Sequence, residues 1–441
     1  MLTLLSTLFL STLVQVAAPV DSGLYRPGDG RRPYGRLPVE GPQTLLATLQ
    51  DKTAKSEERL GSLEVLVWWQ RPLPLEAVRG VRHLSRGDWL PLYASALTLC
   101  GPEAVEELEG LAKRRQPEVR AEVQYGLVLL ADDGQRKALE LLSNRRESPL
   151  VRVAALRGLA DRGSPLAHVE ALRRLQIEED HMLLECLSIL RRDPSEDDVG
   201  PLIDLLADND GRVANEAVEL LQNITGYRIG PDARSWKHFM LKHIAEGTPF
   251  RAPAEAPGAN LDTLSYLGIP ILSHGIAYVL DASSSMTQTL PDQRQDTRAT
   301  RAVKEFVRLL PKIPEKARFN VVFFESELLV FRPEQRQATL DTKAAAQTFV
   351  QEMLFEGGTN LYGGLEEAFA DEGLEEIILL SDGAPSVGNM VQPGRILARV
   401  ARWNRWRHVR ISTISFGASA TARAFLYRLS AEHEGYCRVI D

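Results

Sequence analysis

Between residues 43 and 245 of this 441-residue chain, apolar side chains return at a fixed interval. Leu127, Leu159, Leu190 and Leu221 lie 32, 31 and 31 residues apart, and Val123, Ala155, Cys186 and Ala217 keep the same spacings. Pro117-Glu118-Val119-Arg120 and Pro149-Leu150-Val151-Arg152 open two of these units alike. A unit this short cannot close a core of its own, so each must bury its apolar face against its neighbours. Within each unit the apolar positions follow helical spacing, which predicts stacked helices. The period is clear over about 110 residues and drifts across Gln43 to Gly101, which still reads as helical.

This pattern resembles HEAT-type repeats, whose paired helices stack into an α-helical solenoid. The resemblance implies an extended surface on which a second protein could bind; a spacer with no partner is the plainer alternative. Asp193-Pro194-Ser195-Glu196-Asp197-Asp198 and Asp208-Asn209-Asp210-Gly211 lack the full spacing and terminal Glu of a calcium loop, so they read as turns and helix caps. Asn223-Ile224-Thr225 before Gly226 reads as a helix end rather than a glycosylation site. The segment Gly226 to Pro231 with Trp236 resembles the closing segment seen after helical repeats in some bacterial proteins, with Trp236 capping the stack.

Pro249, Pro253 and Pro257 among alanines mark residues 246–268 as a linker. Beyond it the pattern changes to short apolar runs alternating with helical ones. Strands are expected at Ile276–Leu280, Phe319–Phe324, Leu328–Phe331, Glu376–Leu380, Val409–Phe416 and near Tyr436–Ile440. Helices are expected at about Thr300–Leu310, Thr342–Leu354, Leu361–Ala370, Pro393–Arg407 and Thr421–Leu429. All-apolar strands separated by helices predict an α/β domain over 269–441, a doubly wound, Rossmann-like, mainly parallel sheet covered on both faces.

Composition narrows the function. The chain is 44% hydrophobic and 25% charged, an ordinary globular balance, and its formal charge of -7 argues against coating nucleic acid. In the 393–407 helix, Trp403 and Trp406 lie among Arg395, Arg399, Arg402, Arg405 and Arg407, a mixture that can bind single-stranded nucleic acid. At 100° per residue, however, Ile396, Val400 and Trp403 share one face while Arg395, Arg402 and Arg405 point away, so an ordinary amphipathic helix explains the pattern. Residues 269–441 also carry nearly equal numbers of basic and acidic side chains. Cys100, Cys186 and Cys437 have no metal or redox spacing and read as small buried residues. Residues 1–18 are uncharged and largely apolar with a small-residue ending at Val16-Ala17-Ala18, which predicts a signal peptide and export, an uncleaved membrane anchor being the alternative. Residues 19–42, with repeated Gly, Pro and Arg, read as a flexible linker.

The chemistry concentrates at Asp281-Ala282-Ser283-Ser284-Ser285, which follows the buried strand at Ile276–Leu280. The C-terminal end of a central strand is where open α/β sheets bind ligands. One carboxylate and two hydroxyls within five residues are hard oxygen donors, suited to Mg²⁺, Mn²⁺ or Ca²⁺ and not to Zn²⁺. Two later stretches add to them: Gly357-Gly358-Thr359-Asn360-Leu361, a Gly-rich turn opening a helix, and Ile377 to Gly383, an apolar strand ending in Asp382. Residues 269–441 thereby resemble a von Willebrand factor type A (VWA) domain. Asp281, Ser283, Ser285, Thr359 and Asp382 match that family's metal-ion-dependent adhesion site one for one, with Ser284 standing where many relatives carry Gly. The resemblance implies a bound divalent ion, Mg²⁺ before Mn²⁺ or Ca²⁺. Ser283, Ser285 and Thr359 would coordinate it directly, and Asp281 and Asp382 directly or through water. The expected function is non-enzymatic: a partner protein presents an Asp or Glu carboxylate to the ion, and no nucleic acid is expected. The alternatives are a regulatory or recruiting subunit of a larger complex, and a hydrolase using Ser283 or Ser285. The hydrolase lacks a Gly-x-Ser-x-Gly elbow or a His spacing to support it. His274 precedes its strand and belongs at the opposite end of the sheet from Ser283.

Overall fold

The computed structural model describes residues 24–25, 40–178, 180–248, 264–290 and 293–440. The expected signal peptide at 1–18, and most of the two expected linkers, lie outside the described residues. A run of helices extends from Pro42–Gln50 to Ala233–Glu246, followed by a mixed, predominantly parallel sheet with its own helices. Among the described residues no helix is long and apolar enough to cross a membrane.

Helices of the first region that meet the second include α1 (Ser56–Trp68), α2 (Pro117–Leu130), α3 (Pro149–Asp161), α4 (Asp180–Arg192) and α5 (Gly211–Thr225). The periodic positions do what their spacing requires. Leu159, Leu190, Leu221, Ala155, Cys186 and Ala217 all lie in one continuous apolar core, each almost wholly removed from water. Proline opens α2 and α3 at a position where a helix needs no amide donor. Helix α5 stops at Gly226, whose φ of +75° is the left-handed C-terminal cap expected there. Ser195 and Asp198 form a capping box, so the acidic turn before it is a helix start. Trp236 is fully buried at the end of the stack and its indole N–H donates to the Gly230 carbonyl at 2.8 Å.

The main sheet contains β1 (Leu24–Tyr25), β2 (Gly275–Asp281), β3 (Arg318–Phe324), β4 (Leu328–Val330), β5 (Arg336–Gln337), β6 (Glu376–Ser381), β7 (Arg410–Phe416) and β8 (Cys437–Ile440). Their spatial order is β1-β8-β7-β6-β2-β3-β4, with β5 also on β3. Strands β8, β7, β6, β2 and β3 are mutually parallel, whereas β1, β4 and β5 add antiparallel edges. The central strands β2 and β6 are buried along their whole length, which explains why they carry almost no polar residue before their C-terminal ends. Helices α6 (Arg298–Leu309), α7 (Leu340–Gln351), α8 (Leu361–Phe369), α9 (Pro393–Trp403) and α10 (Ala420–Glu432) complete the domain.

Within the 19–42 segment expected to be a linker, the described residues Leu24 and Tyr25 pair with Arg438 and Cys437 as an edge strand of the distant sheet. The backbone amides of a two-residue strand can be satisfied wherever an edge is open, and nothing in local composition announces that pairing. The arginine face of α9, which points away from the apolar face as an amphipathic helix requires, packs with the residues that follow α9 on the helical repeats. Arg399 Nε and Arg402 Nε lie 2.6 and 3.0 Å from Glu64 of α1. Arg405 Nε lies 2.7 Å from Glu122 of α2, which also accepts from the Trp406 indole at 2.9 Å. His408 reaches Glu185 of α4 at 2.9 Å, alongside Arg157 of α3, and the fully buried Arg410 pairs with Glu216 of α5. Glu122, Glu185 and Glu216 each precede a periodic core residue by one position, so the repeat itself lays out a row of buried carboxylates.

Candidate metal centre

Strands β2 and β6 are neighbours in register, Leu280 opposite Leu380, so Asp281 and the Ser381-Asp382 pair emerge side by side at the C-terminal ends of two central strands. Asp281 is spoken for on both oxygens. Its Oδ1 accepts the Ser283 N–H at 2.8 Å and its Oδ2 accepts the Ser381 hydroxyl at 2.6 Å. Ser283 Oγ and Ser285 Oγ are 3.0 Å apart, and Ser285 Oγ donates to Asp382 Oδ1 at 2.7 Å. Thr359 is brought to the same place from the other side. A Cβ placed on Gly383 would lie 3.7 Å from the Thr359 hydroxyl oxygen, so the Asp382-Gly383 turn runs directly beneath it.

The Thr359 turn is fixed by three contacts. Its N–H donates to Ser386 Oγ at 2.9 Å, the following Asn360 N–H donates to the Glu325 carbonyl at 2.8 Å, and Asn360 then caps α8 through the Gly363 N–H. Gly357, with φ of +71°, passes so close to the Glu325 carboxylate that a Cβ would collide with it. The Ser284 hydroxyl donates to the Gly357 carbonyl at 3.0 Å, so the residue that departs from the family pattern ties the serine loop to the threonine turn.

All five residues expected from the sequence therefore converge. Asp281, Ser283, Thr359 and Asp382 are buried and Ser285 is half-buried. Burial is the main influence on Asp281 and the nearby Asp382 charge adds to it; against the hydrogen bonds from Ser283 and Ser381, its carboxyl is pushed up to about 6. Two carboxylates whose charges repel, together with three hydroxyls, form a hard-oxygen donor set of the kind Mg²⁺ takes. Among the described residues no three His, Cys, Asp or Glu side chains cluster in metal-binding fashion, so nitrogen and sulfur chemistry is not offered here. Neither serine has an imidazole among its hydrogen-bond partners.

Three residues of the site escaped sequence reasoning. Ser381 could have been found, since it directly precedes Asp382 at the C-terminal end of β6, beside the end of β2 that carries Asp281. Ser386 carries no such signal. Arg298, the first residue of α6, also had none: its Nη1 lies 2.7 Å from Asp382 Oδ2, and its side chain is largely buried.

A parallel sheet of this order with oxygen donors at the ends of its central strands defines the class of domain, and residues 276–440 match the family model of the von Willebrand factor type A domain. The C-terminal part of the chain is thus a VWA domain, joined to a helical N-terminal region. Human inter-alpha-trypsin inhibitor heavy chain H3 is 24% identical over 185 residues, covering 39% of this chain and 20% of that protein. Human von Willebrand factor A domain-containing protein 3B is 27% identical over 157 residues, covering 35% of this chain and 11% of that protein. The chain thus spans about a fifth or less of the length of these curated relatives. A solved von Willebrand factor type A structure from Catenulispora acidiphila is 20% identical, covering 39% of this chain and 40% of that one, with a TM-score of 0.31.

Proposed function

We propose that this protein is a non-enzymatic, divalent-metal-dependent protein-binding module. Asp281, Ser283, Ser285, Thr359 and Asp382 hold Mg²⁺, or Mn²⁺ or Ca²⁺ in its place, and a partner supplies an Asp or Glu carboxylate. The observation that carries this reading is the convergence of those five oxygen-bearing side chains at the mouth between β2 and β6. A divalent ion held there offers a coordination position that a partner carboxylate can fill, because two carboxylates and three neutral hydroxyls leave part of a six-oxygen shell open. Asp281 and Asp382 supply the charge, and Ser283, Ser285 and Thr359 supply neutral hydroxyl oxygens.

The helical repeats contact the end of the sheet away from the candidate site, where Arg212 Nη1 donates to the Glu375 carbonyl at the start of β6 and His274, just before β2, lies 3.2 Å from Asp210. They also contact α9, where Glu64 pairs with Arg399 and Arg402. A second protein could use the outer surface of the repeats, and an export signal at 1–18 would place the site where adhesion partners are met.

The test is retention of a partner from native extract on the immobilised full chain, in Mg²⁺ and in chelator, beside an Asp281→Asn chain. The reading requires retention in Mg²⁺ alone by the unmodified chain. Equal retention in chelator or by the variant sinks it.

A further inference from the structure

Asp382 already has a cation. Arg298 opens α6 directly after the capping residue Thr297, and its Nη1 donates to Asp382 Oδ2 at 2.7 Å while Ser285 holds the other carboxylate oxygen. The side chain is largely buried, and Gly417 lets it in: a Cβ there would fall 2.5 Å from Arg298 Nη2, where φ of +49° already favours glycine. The guanidinium is nevertheless poorly held. Its pairing is one-pronged rather than the two-pronged match that arginine makes with carboxylates, and its buried Nε has no partner among the described residues.

We propose that Arg298 is a built-in competitor for the divalent ion. It neutralises Asp382 when no ion is bound and must give up that carboxylate for the ion to enter. This rests on the proposed metal site and extends it to the control of affinity. The physical argument is charge balance. A buried carboxylate without a counter-charge is strongly unfavourable, so a metal-free site with two carboxylates needs a cation, and Arg298 supplies one. A divalent ion brings two positive charges to the same oxygens and repels a guanidinium at that distance. An arginine with a single bond and an unpartnered Nε loses little by leaving, so the exchange is reversible. The consequence is a site tuned to weaker, more switchable metal binding than its five oxygen donors alone would give.

The experiment titrates Mg²⁺ into the full chain and into Arg298→Gln and Arg298→Lys chains, by calorimetry and by melting temperature. Gln removes the competing charge and should tighten Mg²⁺ binding at least tenfold, while lowering the melting temperature in chelator. Lys restores a cation and should bind Mg²⁺ within about threefold of the unmodified chain, a rescue that a purely structural role would not produce. If all three chains bind Mg²⁺ equally, Arg298 is no competitor and the metal reading stands alone. If neither the unmodified chain nor Arg298→Gln responds to Mg²⁺, both ideas fall. Should the variants fail to fold, the Arg298 Nε resonance of the unmodified chain decides: it must shift on Mg²⁺ saturation, and a saturated site with an unmoved resonance overturns the proposal.

Discussion

At the scale of single residues, the candidate donors are positioned partly by one another, through Ser283, Ser285 and Asp382, and partly by neighbours outside the set. Ser381 and the Ser283 amide hold Asp281, Ser386 holds the Thr359 backbone, and Ser284 joins the two loops. Asp281→Asn keeps the shape of the carboxylate and removes its charge, so the chain should fold in chelator with an unchanged or slightly raised melting temperature. It should lose the metal-dependent stabilisation, which for the unmodified chain is about 2.7 kcal/mol at ~100 times the dissociation constant. Melting curves in Mg²⁺ and chelator measure both. Thr359→Ala deletes a neutral ligand from a turn held by its backbone, and should weaken metal-dependent partner retention more than it lowers the melting temperature.

At the scale of elements, α9 with the turn that follows it pairs with the row of glutamates. Glu122 receives both Arg405 and the Trp406 indole, and is buried. Breaking a buried pair leaves an uncompensated charge, so Glu122→Ala should cost about 3–5 kcal/mol in urea unfolding. The same row sets the acid response. Burial alone would raise the Glu185 carboxyl, but Arg157 and His408 outweigh it and hold it at about 2. Its folded value lies below its ordinary one, so its stabilisation is complete above about 4.5 and is lost as pH falls through 2, about 3 kcal/mol in all. His433, buried beside Asn404, is pushed down to about 4, so between 6.5 and 4 the unfolded chain takes up a proton that the folded chain refuses. Asp281, pushed up, acts in the opposite sense between about 4 and 6. The net acid loss should therefore steepen below pH 4.5, and Glu185→Gln should flatten that limb of the stability curve.

At the scale of the whole molecule, the two regions are docked through many polar contacts. Arg212 joins Glu434, Tyr436 joins Glu219, and Lys316 joins Asp210, in addition to the α9 contacts. Lys316–Asp210 is exposed, but the pairs at Glu64, Glu122 and Glu216 are buried, and buried pairs are screened by salt far less than exposed ones. If a protease site is inserted within residues 249–263 and cut, the halves should co-elute in size-exclusion chromatography at 0.15 M NaCl, where attraction between exposed charges beyond about 8 Å is largely screened. A Glu122→Ala, Glu216→Ala chain should separate under the same conditions. Co-elution of that doubly substituted chain would show that the carboxylate row does not hold the regions together.

Local pattern was enough to read the helical stack, the parallel sheet and the five oxygen donors, because period, strand-end position and donor chemistry are properties of short stretches. Leu190 and Cys186 recur at the repeat spacing, and Asp281 and Asp382 end apolar runs, whatever lies beyond. The fates of Arg298, Leu24 and the α9 arginines were decided only when distant stretches met. A charged side chain looks the same in sequence whether it will face water, a carboxylate 84 residues away or a glutamate more than 300 residues away. An edge strand is chosen by the edge that happens to be open. Burial of charge is settled by what arrives on the other side, and only the tertiary structure brings the two sides together.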